Sequence, residues 1–287
     1  MWDLMRDMVS IAWDTIFEDG IRYVVFSLAA WGIVCVALKG VLAGRKIRPD
    51  SPKPQQMVIE FLVSLRSIFV YSLIGIAIEY MARAGFYPLS ELSAGWGPVW
   101  FVISLLLMIV GHDAYFYWVH RLIHHPKRFR KYHLRHHLSH NPSPFTAYSF
   151  NLREAALMGL FAAVWPLIVP TPWAVIPVWL LHQLVRNTIG HSGYELMPAG
   201  RDGRPLFDWV TSVTHHDLHH AYSKYNFGLY FTWWDRWMGT EHPEYHARFA
   251  RAIRRELLPQ RPPVLQPSDG SLQRANKASA GRENLVS

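Results

Sequence analysis

Apolar residues in this chain come in long blocks, and the blocks predict helices that cross a membrane. From Tyr23 to Leu38 there is no charged residue, and the stretch continues past Lys39 to Gly44. That is enough to cross a bilayer core, which needs about 20 helical residues. Lys39, near one end, can extend to the headgroups. A secretory leader fits poorly, because the preceding residues are acidic and aromatic and no small-residue cleavage site follows. A second block, Ser67–Ile78, lies between Arg66 and Glu79 and spans only if extended at both ends. The third, Gly97–Val119, is interrupted by His112 and Asp113. Ionisable groups inside a span are functional candidates by default. Ala155–Val169 and Trp173–Val185 are each short for a crossing and are separated by Pro170-Thr171-Pro172. They predict a tight helical hairpin dipping into the membrane, or two short buried helices. The expected fold is all-α: an integral membrane bundle of three spans plus a hairpin, with a cytoplasmic histidine-rich cap.

Charge supplies the orientation. The first residues, to Arg22, carry Asp3, Asp14, Glu18 and Asp19, whereas Arg45, Lys46, Arg48 and Lys53 follow the first span. Arg121, Lys127, Arg128, Arg130, Lys131 and Arg135 follow the third. Basic loops stay in the cytoplasm, which puts the N-terminus outside and the cap and C-terminus inside. The net charge of +8 is explained by this topology, and nucleic acid is not an expected partner. From Pro262 onward the chain is rich in Pro, Ser, Gln, Arg and Asn without apolar periodicity. The expected organisation is a single domain over 1–262, with a motif core at 100–240, and a disordered tail over 263–287.

Hydrophobic residues make up 51% of the chain and charged residues 17%, which excludes a largely disordered regulator. The single cysteine, Cys35, cannot supply an internal disulfide or a four-cysteine zinc or iron–sulfur site. The 16 histidines carry the chemistry, because 13 of them fall in two windows, 112–140 and 191–220. His120 and His124 are spaced i, i+4 on one helical face, and Asp113 and Tyr117 continue that face. His133, His136 and His137 have i, i+3, i+4 spacing, as do His216, His219 and His220. His191 ends the hairpin, one turn after Asn187. Clustered neutral imidazoles on rigid elements form metal sites, and nitrogen ligation alone leaves iron, zinc, copper and nickel open.

These residues resemble the fatty acid hydroxylase superfamily, which includes sterol desaturases, sterol C4-methyl oxidases and sphingolipid and carotenoid hydroxylases. The resemblance runs from about Trp100 to Thr240. Its boxes read Asp113-Ala-Tyr-Phe-Tyr117-Trp-Val-His120-Arg-Leu-Ile-His124-His125-Pro126, then His133-Leu-Arg-His136-His137 with Pro144-Phe-Thr-Ala147. The third reads His191-Ser-Gly-Tyr194 and His215-His216-Asp217-Leu-His219-His220, closing with Tyr225-Asn-Phe-Gly228 and Trp234-Asp-Arg-Trp-Met-Gly-Thr240. Carried over, the resemblance implies metal ligands at His120, His124, His133, His136, His137, His191, His216, His219 and His220. His125 and His215 stand beside them as alternates. It also implies two iron ions, replaceable by zinc on purification, together with O2 and an electron donor. Asp113, Tyr117 and Asp217 are the candidates to orient ligating imidazoles. The chain departs from the family pattern after Pro144-Phe-Thr-Ala147, where many members carry a further histidine before an acidic residue and this chain reads Phe150-Asn151-Leu-Arg-Glu154, and at Asn187, a histidine in some relatives.

An apolar C–H bond offers no acid or base handle, so its cleavage falls to a cofactor. The expectation is therefore a membrane-bound di-iron enzyme that hydroxylates or desaturates a sterol-like or fatty-acyl lipid entering from the bilayer. The chain has no dinucleotide fingerprint or phosphate loop, so a separate ferredoxin, cytochrome or reductase is expected to supply electrons. A carotenoid hydroxylase is the alternative within the family. A non-catalytic metal-binding or transport protein is the alternative outside it. Transport is disfavoured because transporter sites lie near the membrane midplane, whereas these clusters follow the end of a span.

Overall fold

The computed structural model describes residues 2–258 and is helical, with isolated β-bridges but no strands among those residues. The expected tail from Pro262 onward lies outside the described residues. Helix α1 (Trp2–Ala30) passes into a π-helical segment, Trp31–Ala37. α2 (Pro54–Arg83), the short α3 (Pro88–Ser93) and α4 (Gly97–Ile123) follow. Arg6–Ala37, Pro54–Arg83 and Gly97–Ile123 are long and apolar enough to cross a membrane. The second block is thus extended at both ends into a full span. The first begins earlier than its uncharged core, because the acidic N-terminal stretch is itself helical. Its charges are partly satisfied within the bundle: Asp19 accepts from Arg22 Nη1 at 3.0 Å and from Ser72 Oγ of α2 at 2.9 Å.

The spans have an inverted pattern that fits a lipid solvent. In α2 the buried positions are Glu60, Ser64, Ser67, Ile68 and Ser72, while Val58, Leu62, Phe69 and Leu73 are exposed. With hydrocarbon outside there is no hydrophobic force between helices. Small residues therefore take the contacts so that backbones approach closely. Gly111 of α4 serves the same end, since a Cβ there would come within 2.1 Å of the Trp165 ring. Trp165 belongs to α7 (Leu152–Ile168), which with α8 (Val175–Gly190) forms the predicted hairpin around Pro170-Thr171-Pro172.

The cap is assembled from α5 (Pro126–Tyr132), α6 (Leu134–His137), α9 (Val213–Tyr222), α10 (Trp233–Trp237) and α11 (Tyr245–Ala252). The basic loop after the first span is built into it: Arg45 Nη1 donates to the carbonyls of Glu195 and Met197 at 2.7 and 3.1 Å. Arg48 pairs with Asp217 at 2.7 Å. The described residues up to Leu257 form one compact unit.

Candidate metal centre

The nine histidines that the resemblance implies as ligands converge in two groups. Donor atoms of His120, His124, His133, His137 and His219 lie within 4.8 Å of one another, as do those of His136, His191, His216 and His220. α4 contributes His120 and ends at His124. His133 lies between α5 and α6, and α6 carries His136 and His137. His191 ends α8, and α9 supplies the last three. Eight of the nine are buried; His124 is half-buried.

Hydrogen bonds on the far side of the rings set which nitrogen faces inward. Nδ1 of His120 donates to the Phe227 carbonyl at 2.9 Å, that of His191 to the Asn187 carbonyl at 2.7 Å, and that of His219 to the Tyr225 carbonyl at 2.7 Å. A neutral ring that donates from Nδ1 presents a bare lone pair at Nε2. These lone pairs face ring nitrogens of other histidines across each group. His120 and His133 Nε2 are 3.0 Å apart, His137 and His219 3.0 Å, His191 and His216 2.9 Å, and His136 and His191 3.4 Å. Facing lone pairs repel unless a cation lies between them. Nitrogens bound to one ion at about 2.1 Å would stand about 3.0 Å apart at a right angle and about 3.4 Å at the tetrahedral angle, which matches the observed range. His220 has no hydrogen-bond partner at either ring nitrogen, and His136 has none at Nδ1. The residues present therefore fit a pair of metal ions.

Burial makes this fit stronger. Desolvation, followed by the field of neighbouring imidazoles, pushes His133, His136, His216, His219 and His220 well below the ordinary histidine range. His137 falls to about 3 by the same causes, and burial brings His191 to about 4. Neutral imidazole is the form that ligates.

The alternates stay out of both groups. His125 caps α5, where its Nδ1 accepts from Lys127 N at 3.4 Å. His215 is fully buried, 3.6 Å from Asp235 and edge-on to Tyr245. Asn187 also takes no ligand position, because its amide donates to the Ala147 carbonyl at 2.7 Å.

The expected carboxylate partners need correction. Asp113 touches no imidazole: its oxygens accept from Tyr230 N at 2.7 Å, Phe231 N at 3.3 Å and Trp233 Nε1 at 3.1 Å. Asp217 is taken up by Arg48, and the Tyr117 hydroxyl meets Thr240 Oγ1 at 2.9 Å and Arg121. Backbone and indole donors take Asp113, Arg48 takes Asp217, and Thr240 and Arg121 take Tyr117, so none of the three is left for an imidazole. The carboxylate that does meet a clustered imidazole is Glu154, at the start of α7, against His133 Nδ1. Sequence reading noticed Glu154 only as part of a departure from a motif. Asp235 was also missed as a site residue. It accepts from Phe227 N and Gly228 N at 2.8 Å and from Thr240 Oγ1 at 2.7 Å, holding the loop whose carbonyls orient His120 and His219. Glu195 clasps the start of α9 by accepting from Thr214 N at 2.8 Å. Glu154→Gln is expected to weaken metal retention in the five-histidine group by about 10–100-fold while the protein still folds. Chelator titration followed by metal analysis checks this, and unchanged retention rejects the role.

A cavity of about 550 Å³ opens beside the histidines among α1, α2, α4, α7 and α8. Its inner end is formed by residues that touch the imidazoles. Phe116 lies 4.9 Å from the His120 ring and Phe150 5.0 Å from the His136 ring. The volume falls within the usual range for a small-molecule pocket.

Comparison with known proteins gives one family model, fatty acid hydroxylase, matching residues 105–240. Lathosterol oxidase from Homo sapiens is 30% identical over 47% of this chain and 44% of its own length. A Delta(7)-sterol 5(6)-desaturase from Gibberella zeae is 30% identical over 51% of this chain and 43% of its own. Methylsterol monooxygenase 1 from Rattus norvegicus is 28% identical over 52% and 50%. The chain thus spans about half the length of these relatives. No solved structure matches.

Proposed function

We propose that this chain, whose residues 105–240 match the fatty acid hydroxylase family model, is a membrane oxidoreductase that hydroxylates or desaturates a lipid, sterol-like or fatty-acyl, using O2. The observation that carries this reading is the pairing of nine convergent histidines with an apolar cavity ending on their neighbours. His120, His124, His133, His137 and His219 would hold one iron, and His136, His191, His216 and His220 the other. Bound iron would supply the oxidising power that an unactivated C–H bond requires.

The chain's own residues do the rest. The carbonyls of Tyr225, Phe227 and Asn187 keep three imidazoles turned inward. Phe116 and Phe150 screen the ligands from water and shape the place where a lipid carbon arrives. A separate ferredoxin, cytochrome or reductase is the proposed electron source. The N-terminus is proposed to be outside, with the cap and C-terminus in the cytoplasm, on the strength of the basic segments flanking the spans.

Lipid profiles of cells with and without the gene test the reaction. A product heavier by one oxygen or lighter by two hydrogens is expected in the first. No such product in cells supplied with iron and a reductase would overturn the reading.

A further inference from the structure

The cavity is not uniformly apolar. His112 of α4 lines it and belongs to neither histidine group. The residue is 4% exposed. Its Nδ1 lies 2.9 Å from the Tyr230 hydroxyl, and its ring is held by Phe161 and Trp179, each with centroids 4.9 Å away. Nε2 has no hydrogen-bond partner among the described residues. Such a polar atom inside an apolar bundle is costly unless something pairs with it. Here His112 lines a cavity large enough for a guest, and its ring's only hydrogen bond among the described residues is the one at Nδ1.

The wall formed by α1 has a definite charge. Asp14, Glu18 and Asp19 line the cavity, with Arg22 the single basic residue of α1 among them. Arg22 is shared between Asp19 at 3.0 Å and Glu18 at 4.0 Å, and Ser72 Oγ donates to Asp19. Glu79 of α2 lines the cavity too and is paired with Arg83. Carboxylates outnumber cations on this wall, so an anionic headgroup entering it would be repelled. A neutral hydroxyl would not, and a hydroxyl can pair with an imidazole nitrogen whether that nitrogen donates or accepts.

We propose that His112 Nε2 is the hydrogen-bond contact for a hydroxyl group of the lipid, and that the acidic wall of α1 turns away lipids with anionic headgroups. The proposal deepens the oxidoreductase reading and rests on it. It also sets a ruler. His112 precedes His120 by eight residues on one helix, a rise of about 12 Å. The carbon presented to the histidine groups is therefore remote from the recognised hydroxyl.

Equilibrium binding to the purified, metal-loaded protein tests this with two probe series. One is 1-octadecanol, octadecanoate and octadecane. The other is cholesterol, cholesterol sulfate and cholestane. In at least one series the hydroxyl member is expected to bind about tenfold more tightly than both counterparts, the worth of one hydrogen bond. His112→Phe should erase the advantage over the hydrocarbon without changing hydrocarbon affinity or metal content. His112→Gln, which keeps a polar group, should restore part of it. Equal binding across both series in the unaltered protein would overturn the proposal, as would a hydroxyl preference that survives His112→Phe. The readout is binding, so a preference without any oxidised product would sink the oxidoreductase reading alone. Turnover without the preference would sink this inference alone.

Discussion

Alanine at His191 is expected to remove one of two metal ions and abolish turnover, whereas alanine at His219 should leave more metal behind. The four-histidine group has no spare donor. Within it, His191 Nε2 sits 2.9 Å from His216 Nε2 and 3.4 Å from His136 Nε2, so its loss unbalances both neighbours. The five-histidine group keeps four imidazoles without His219. Metal analysis of purified protein should therefore give about two ions per chain unaltered, close to one for His191→Ala and an intermediate value for His219→Ala. Zinc is acceptable in this count, since it outranks ferrous iron for nitrogen ligands. Turnover should fall below detection in His191→Ala, whose group has no spare imidazole, and should fall in step with the metal lost in His219→Ala. Full loading together with normal turnover in both would falsify the ligand assignment.

Asp113→Asn is expected to damage folding first, with metal content falling in parallel. Read from the helical stripe alone, Asp113 looks like a partner for a ligating imidazole, and loss of activity in an intact fold would follow. The structure gives it three other donors: two backbone N–H groups of 230–231 and the Trp233 indole. A carboxylate accepts all three. An amide offers one oxygen, and its NH2 then opposes an N–H of the protein. Hydrogen bonds to charged groups contribute about 1.5–3 kcal/mol, against a total stability of about 5–15 kcal/mol for a folded domain. A clear drop in the thermal midpoint in detergent and in folded yield is the expected result. The loop tethered by Asp113 adjoins the Tyr225 and Phe227 carbonyls that aim His219 and His120, so metal should be lost with the fold. An unchanged midpoint accompanied by a specific loss of turnover would restore the simpler picture of a ligand partner.

Much of this protein is written in local periodicity. A block of apolar residues about as long as a bilayer is thick has little choice but to be a helix, since lipid satisfies no backbone hydrogen bonds. The three spans and the hairpin were therefore legible, though α1 starts well before its uncharged core. Its Asp19 is accommodated by Arg22 and Ser72, partners that a hydropathy pattern cannot reveal. The i, i+3 and i+4 spacings of the histidines were equally legible, because they need only one helix to bring side chains to one side. Spacing could not divide them. His136 and His137 are neighbours in sequence yet enter different groups, since consecutive helical residues point about 100° apart and each meets what other elements bring. The same limit hid Glu154, which reaches His133 only when α7 packs against α5. It misdirected Asp113 and Asp217, whose partners are a distant backbone loop and Arg48. It left His215 looking like a ligand, although the fold turns it toward Tyr245 and Asp235. The cavity is the plainest case. It is bounded by five helices from across the chain, so neither its polar atom at His112 nor its acidic wall exists until those helices have packed.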